Sequence, residues 1–129
     1  MKIGLAQIEC KLGDIKANLD KMREFISRAR KEKVNLLVFP ELSLTGYSVK
    51  NLVPDIAIRI DNPLIKDLKK ESRDISLVVG FVEESKDYNF YNSALYLEKG
   101  EIKHLHRKIY LPTYGIFEEK KYFVGGERM

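Results

Sequence analysis

Between Val34 and Phe39 the chain carries a near-continuous apolar run, Val-Asn-Leu-Leu-Val-Phe, closed by Pro40. A short apolar run without alternation is the pattern of a strand buried on both faces, as in sheets whose parallel strands are covered by helices. Pro40 has no N–H to give to a ladder and ends the strand. The preceding segment supplies a cover. Ile15, Leu19, Met22, Phe25, Ile26 and Ala29 recur at three- and four-residue steps among charged residues, which predicts an amphipathic helix from an Asp14 N-cap to about Lys33. Before it, Ile3, Leu5, Ala6 and Ile8 predict a buried strand over residues 2–8.

The order continues in the same sense. A loop passes through Gly46 and Tyr47, and residues 49–60 show no assignable period. Asn62-Pro63 reads as an N-cap followed by a first-turn proline, opening a short helix to about Ser72. Ile75–Glu83 reads as a further buried strand. Phe90–Leu97 and Glu101–His106 form a hairpin about Lys99-Gly100. The last stretch, 107–129, is loop-like with one helical turn near residues 117–122. Strand–helix–strand–helix–strand followed by a hairpin is an α/β pattern, with a mixed sheet and both helices on one face. If the early strands are parallel, loops at their carboxyl ends carry the chemistry, and the loop after Phe39 is one of them.

Composition narrows the function classes. The 129 residues suffice for one ordinary domain, and 44% hydrophobic with 33% charged residues describes a globular chain rather than a disordered one. No apolar run approaches the roughly 20 residues that span a bilayer. The N-terminus, MKIGLAQIEC, turns polar too soon for a secretory signal, so no membrane association is expected and a cytoplasmic location is. The net charge is +4, but 23 basic residues are interspersed with 19 acidic ones, which argues against a nucleic-acid partner. With one cysteine, Cys10, and two histidines, His104 and His106, there is no internal disulfide and no metal-binding spacing. No cofactor is implied.

Two residues stand where chemistry could be done. Glu41 directly follows the apolar strand, and a carboxylate at such a mouth is held partly out of water, a condition that suits a general base. The plainer reading is a capping glutamate after Pro40. Lys108 closes the last strand and precedes Tyr110, Pro112 and Gly115, which shape a loop; an ammonium there could face a developing oxyanion. The plainer reading is a solvated strand-end lysine.

Taken together, Phe39–Pro40–Glu41–Leu42–Ser43–Leu44–Thr45–Gly46–Tyr47 and Lys108–Ile109–Tyr110–Leu111–Pro112–Thr113–Tyr114–Gly115 resemble the nitrilase superfamily of carbon–nitrogen hydrolases. Ile3–Gly4–Leu5–Ala6–Gln7 resembles that family's first strand. The resemblance runs from Lys2 to Met129. It implies an α-β-β-α sandwich, of which this chain would be the N-terminal half, and a Glu–Lys–Cys triad. Glu41 matches the general base and Lys108 the lysine that stabilises the tetrahedral intermediate. Phe117, Glu119 and Gly126 match a further pattern that makes Glu119 a second catalytic glutamate, with the neighbouring Glu118 as the other choice. Tyr47, Tyr114 and Phe117 would lie near the substrate entrance. The nucleophilic cysteine would fall beyond Met129, so the domain is expected to be incomplete and the chain inactive alone. Cys10 follows the first strand, where the family has no nucleophile, and reads as a small buried thiol.

Within the superfamily, the stretch from Tyr110 to Phe123 looks most like stand-alone bacterial amidases and the glutaminase domain of glutamine-dependent NAD synthetases. The resemblance implies a small-molecule amide or nitrile substrate and a homo-oligomer in the intact protein. A non-catalytic truncated subunit that only binds a partner is the competing reading.

Overall fold

The structure is a computed structural model and describes residues 1–46, 53–108 and 126. Five strands form one mixed sheet: β1 (Ile3–Leu5), β2 (Leu36–Val38), β3 (Ser76–Glu84), β4 (Phe90–Glu98) and β5 (Glu101–Arg107), in spatial order β1-β2-β3-β4-β5. The first three are mutually parallel, and β4 and β5 are added antiparallel. Helices α1 (Ile15–Lys31), α2 (Val53–Ile56, a single turn) and α3 (Pro63–Glu71) link the parallel strands.

The local signals that predict these elements are the ones that cap them. Asp14 accepts from the Ala17 N–H (3.0 Å) and Asn62 from the Leu64 N–H (2.9 Å), so both helices start on side chains that satisfy orphan backbone donors. The β4–β5 turn places Lys99 (φ 52°) and Gly100 (φ 77°) in the left-handed region, as a two-residue hairpin turn matched to strand twist requires. The unassigned stretch 49–60 holds α2, and Ile58 then adds a parallel bridge to Glu83.

One core holds this sheet to α1 and α3. Leu19, Met22, Ile26 and Ala29 of α1 and Ile65 and Leu68 of α3 pack on Leu37, Leu77, Val79, Phe81, Leu95 and Leu97, which share one sheet face. No described helix covers the other face, which only the turn after β2 crosses, at Gly80. Two expectations change here. The first strand spans three residues, not seven, and its Ile3 and Leu5 point to the uncovered face, where they are 56% and 76% exposed; only Ala6 beyond it is buried. Likewise β2 is not buried on both faces: Leu37 is buried, whereas Leu36 and Val38 are half-buried. An apolar run records that both faces of a strand avoid water, but not which neighbour supplies the second cover.

Candidate active site

The site is built on the uncovered face, from a turn after β2 and the end of β5. The Phe39 N–H still donates to the Val78 carbonyl of β3 (3.0 Å), after which Pro40 breaks the ladder. The chain then folds into a tight turn: Ser43 N–H donates to the Pro40 carbonyl (3.1 Å) and Gly46 N–H to the Leu42 carbonyl (2.7 Å). Leu42 sits at φ 52°, a costly conformation for a branched residue, and its full burial holds it there.

This turn lies directly across β3. A Cβ on Gly80 would come within 2.5 Å of the Leu42 nitrogen and 3.0 Å of the Pro40 carbonyl oxygen, so only glycine lets the turn pass so close. From the helix side, the buried Asn18 of α1 fixes the far end: its Nδ2 donates to the carbonyls of Leu44 (2.9 Å) and Lys11 (2.8 Å), while its Oδ1 accepts from the Lys11 N–H (2.6 Å). The Thr45 hydroxyl beside it is buried with no partner among the described residues.

Lys108 reaches the same place from the other direction. Leu97 pairs with Ile102, but the next residue on β4, Tyr96, pairs with His104, so Lys103 is an extra residue in β5. That bulge inverts the alternation. Ile102 packs towards the helices; without the bulge, 104, 106 and 108 would follow it. With it, Leu105 and Arg107 face the helices, and His106 and Lys108 line the open face. The Lys108 backbone is gripped on both sides, its N–H donating to the Asn92 carbonyl and its carbonyl accepting from the Gly126 N–H, each at 2.8 Å.

There the two sequence-named groups meet. Lys108 Nζ lies 2.7 Å from Glu41 Oε1, and Asn92 Nδ2 donates to the same oxygen, also at 2.7 Å. The three border a cavity of about 320 Å³ with Pro40, Ala94 and His106. The shielding expected for Glu41 is absent from the described residues: its side chain is 46% exposed, because the sheet face on which it lies is open. Asn92 was not singled out from the sequence. Its signal is an amide-bearing residue inside an otherwise apolar strand, where asparagine is disfavoured unless it has a partner.

Glu119, its neighbour Glu118, Tyr47, Tyr114 and Phe117 lie outside the described residues. Cys10 lies in the loop after β1, half-buried, and does not border the cavity. Burial pushes its thiol up, with Lys21 drawing it partly back. Among the described residues no three His, Cys, Asp or Glu side chains come together as a metal site, and no helix is long and apolar enough to cross a membrane. A larger cavity, about 580 Å³, lies at the far end of β3 and is bordered by groups already paired with each other, Arg59 with Glu84 and Arg107 with Glu83.

The sequence profile of one family, carbon–nitrogen hydrolase, matches residues 2–129. The chain belongs to the carbon–nitrogen hydrolase family. Among its relatives, this hydrolase chain is 36% identical over 129 residues to a glutamine-dependent NAD(+) synthetase of Acinetobacter baylyi, covering 98% of this chain and 24% of the relative. Its fold matches a mutant of the Nesterenkonia AN1 amidase, from the nitrilase superfamily, with a TM-score of 0.86 at 28% identity, over 99% of this chain and 49% of the amidase. Another structure of that amidase, TM-score 0.85 at 28% identity over 99% of this chain and 49% of its own, carries the acetamide moiety of fluoroacetamide covalently added at its active-site cysteine. The chain thus spans about a quarter of the synthetase and about half of the amidase. The mixed sheet with its helices is the nitrilase-like α/β fold.

Proposed function

We propose that these 129 residues are the N-terminal portion of a hydrolase domain that cleaves a non-peptide amide C–N bond through a Glu–Lys–Cys triad and a thioester, with the cysteine supplied from outside them. The observation that carries this reading is the convergence of Glu41 and Lys108, 67 positions apart, at 2.7 Å beside Asn92 on an open face. Coverage of only half of the cysteine-dependent amidase supports a nucleophile from elsewhere, and Cys10 stands away from the cavity.

In this mechanism Glu41 takes the thiol proton, and the thiolate attacks the amide carbon. The ammonium of Lys108 meets the negative charge that develops on the carbonyl oxygen. The C–N bond then breaks, the amine leaves with the proton held by Glu41, and a thioester remains. Glu41 next removes a proton from water, whose attack frees the acid and restores the thiol. Both donors converge on Oε1, which leaves Oε2 to carry the proton. Glu119 would orient Lys108 or the substrate amide, and Tyr47, Tyr114 and Phe117 would shape the entrance. The cleavage uses no cofactor, and a cytoplasmic homo-oligomer is the matching setting.

Two substrate classes compete. Higher identity to the Acinetobacter baylyi glutamine-dependent synthetase, 36% against 28%, favours glutamine as the amide; the coverage of half of a stand-alone amidase favours small aliphatic amides. The test is ammonia release by this chain joined to the part that supplies the cysteine, from glutamine and from simple amides and nitriles. Release that falls about a hundred-fold or more in Glu41→Gln and in Lys108→Ala supports the reading, that being the usual worth of a general base or an oxyanion donor. Full activity in either variant, or no release by a folded assembly, overturns it and favours a partner-binding subunit.

A further inference from the structure

Glu83 is the one charged side chain buried among the described residues, at 2% exposure, and it lies outside the cavity that Glu41 borders, on the helix-facing side of the sheet. Three donors hold it: Arg107 Nε to Oε1 (2.9 Å), Arg107 Nη2 to Oε2 (2.8 Å) and the Ser93 hydroxyl to Oε1 (2.8 Å). The Arg107 guanidinium also lies over the Tyr91 ring, 4.1 Å from its centroid. Glu83 is buried while Arg107 stays about a third exposed, at 35%; an ion pair with a buried member contributes little net stability once desolvation is counted, and its best-attested use is to select one register. Register is what is at stake here. The β4–β5 ladder contains a one-residue bulge, and a slip by one residue sends every side chain beyond it to the opposite face.

Resting on the reading of Lys108 as the oxyanion-stabilising lysine, we infer that Glu83 and Arg107 are positioning residues for it. The fork between them pins the residue before Lys108 to the helix side after the bulge. The strand's alternation then delivers the Lys108 ammonium to the open face, against Glu41. Ser93 and Tyr91 complete the socket. The pair touches no substrate and acts only through Lys108.

The test uses the complete hydrolase, these residues joined to the part that supplies the thiol, carrying Glu83→Gln or Arg107→Lys. Each variant loosens the fork while keeping the side-chain size. The expected result is a kcat per folded molecule lowered at least about ten-fold with KM within about two-fold. Arg30→Met, which breaks the fork to Glu71 and Asp74 on the helix layer, should lower the melting temperature and leave kcat per folded molecule in place. If one fork variant fails to fold, the other decides. A folded variant with the parental kcat overturns the inference, as does a loss of activity that matches the loss of folded protein. Lys108→Ala separates the two levels: full activity there sinks the reading of the site itself, whereas an inactive Lys108→Ala beside unaltered fork variants sinks only the role of Glu83 and Arg107.

Discussion

At the scale of single residues, the site depends on how few donors serve one carboxylate. Asn92 gives Glu41 a neutral hydrogen bond beside the charged one from Lys108, and hydrogen bonds to ionised groups are worth about 1.5–3 kcal/mol. Asn92→Ala should therefore lower kcat about ten- to a hundred-fold in the complete enzyme, with an unchanged circular dichroism spectrum; ammonia release measures it. Cys10→Ala should leave that rate unaltered, because the thiol stands away from the cavity. With burial holding the Cys10 thiol in its protonated form, it should also react more slowly with a thiol reagent at pH 8 in the folded chain than in denaturant. Glu41 and Lys108 were legible from sequence because each sits in a motif with a specific neighbourhood. Asn92 was not, since its importance comes from a partner 51 positions away.

At the scale of elements, the helices were legible and the close approaches between elements were not. The three- and four-residue spacing along α1 and the Asn62-Pro63 start of α3 state their own geometry, because helix caps and faces are local. Gly80 shows the opposite. Within β3 it reads as a weak strand residue, yet it is the place where the Pro40–Leu42 turn crosses the sheet. Gly80→Ala should cost about 1–3 kcal/mol of stability, as overpacking of a close-packed site does, measured by urea denaturation. It should also lower activity by more than the lost stability explains, because the displaced turn carries Glu41. Asn18 was missed for a similar reason. On a helix stripe it resembles a polar interruption, and only the fold brings Lys11 and Leu44 to its amide.

At the scale of the whole molecule, the helices of the described residues lie on one side of the sheet. Ile3, Leu5, Leu36, Val38 and Val78 present apolar surface on the other, the side on which Glu41 and Lys108 meet. Large contiguous apolar patches mark interaction surfaces. The 129-residue chain should accordingly bind an apolar fluorescent dye, and the complete hydrolase should bind markedly less; equal binding would show that this face stays uncovered in the intact protein. The order of strands and helices, the helix faces and the candidate pair Glu41 and Lys108 were determined by the sequence itself, because hydrophobic period, capping and motif are properties of neighbours along the chain. Which face of β5 presents Lys108 was decided only by tertiary structure. One extra residue, Lys103, inverts the alternation of a period-two strand, and no local pattern announces where that residue goes unpaired.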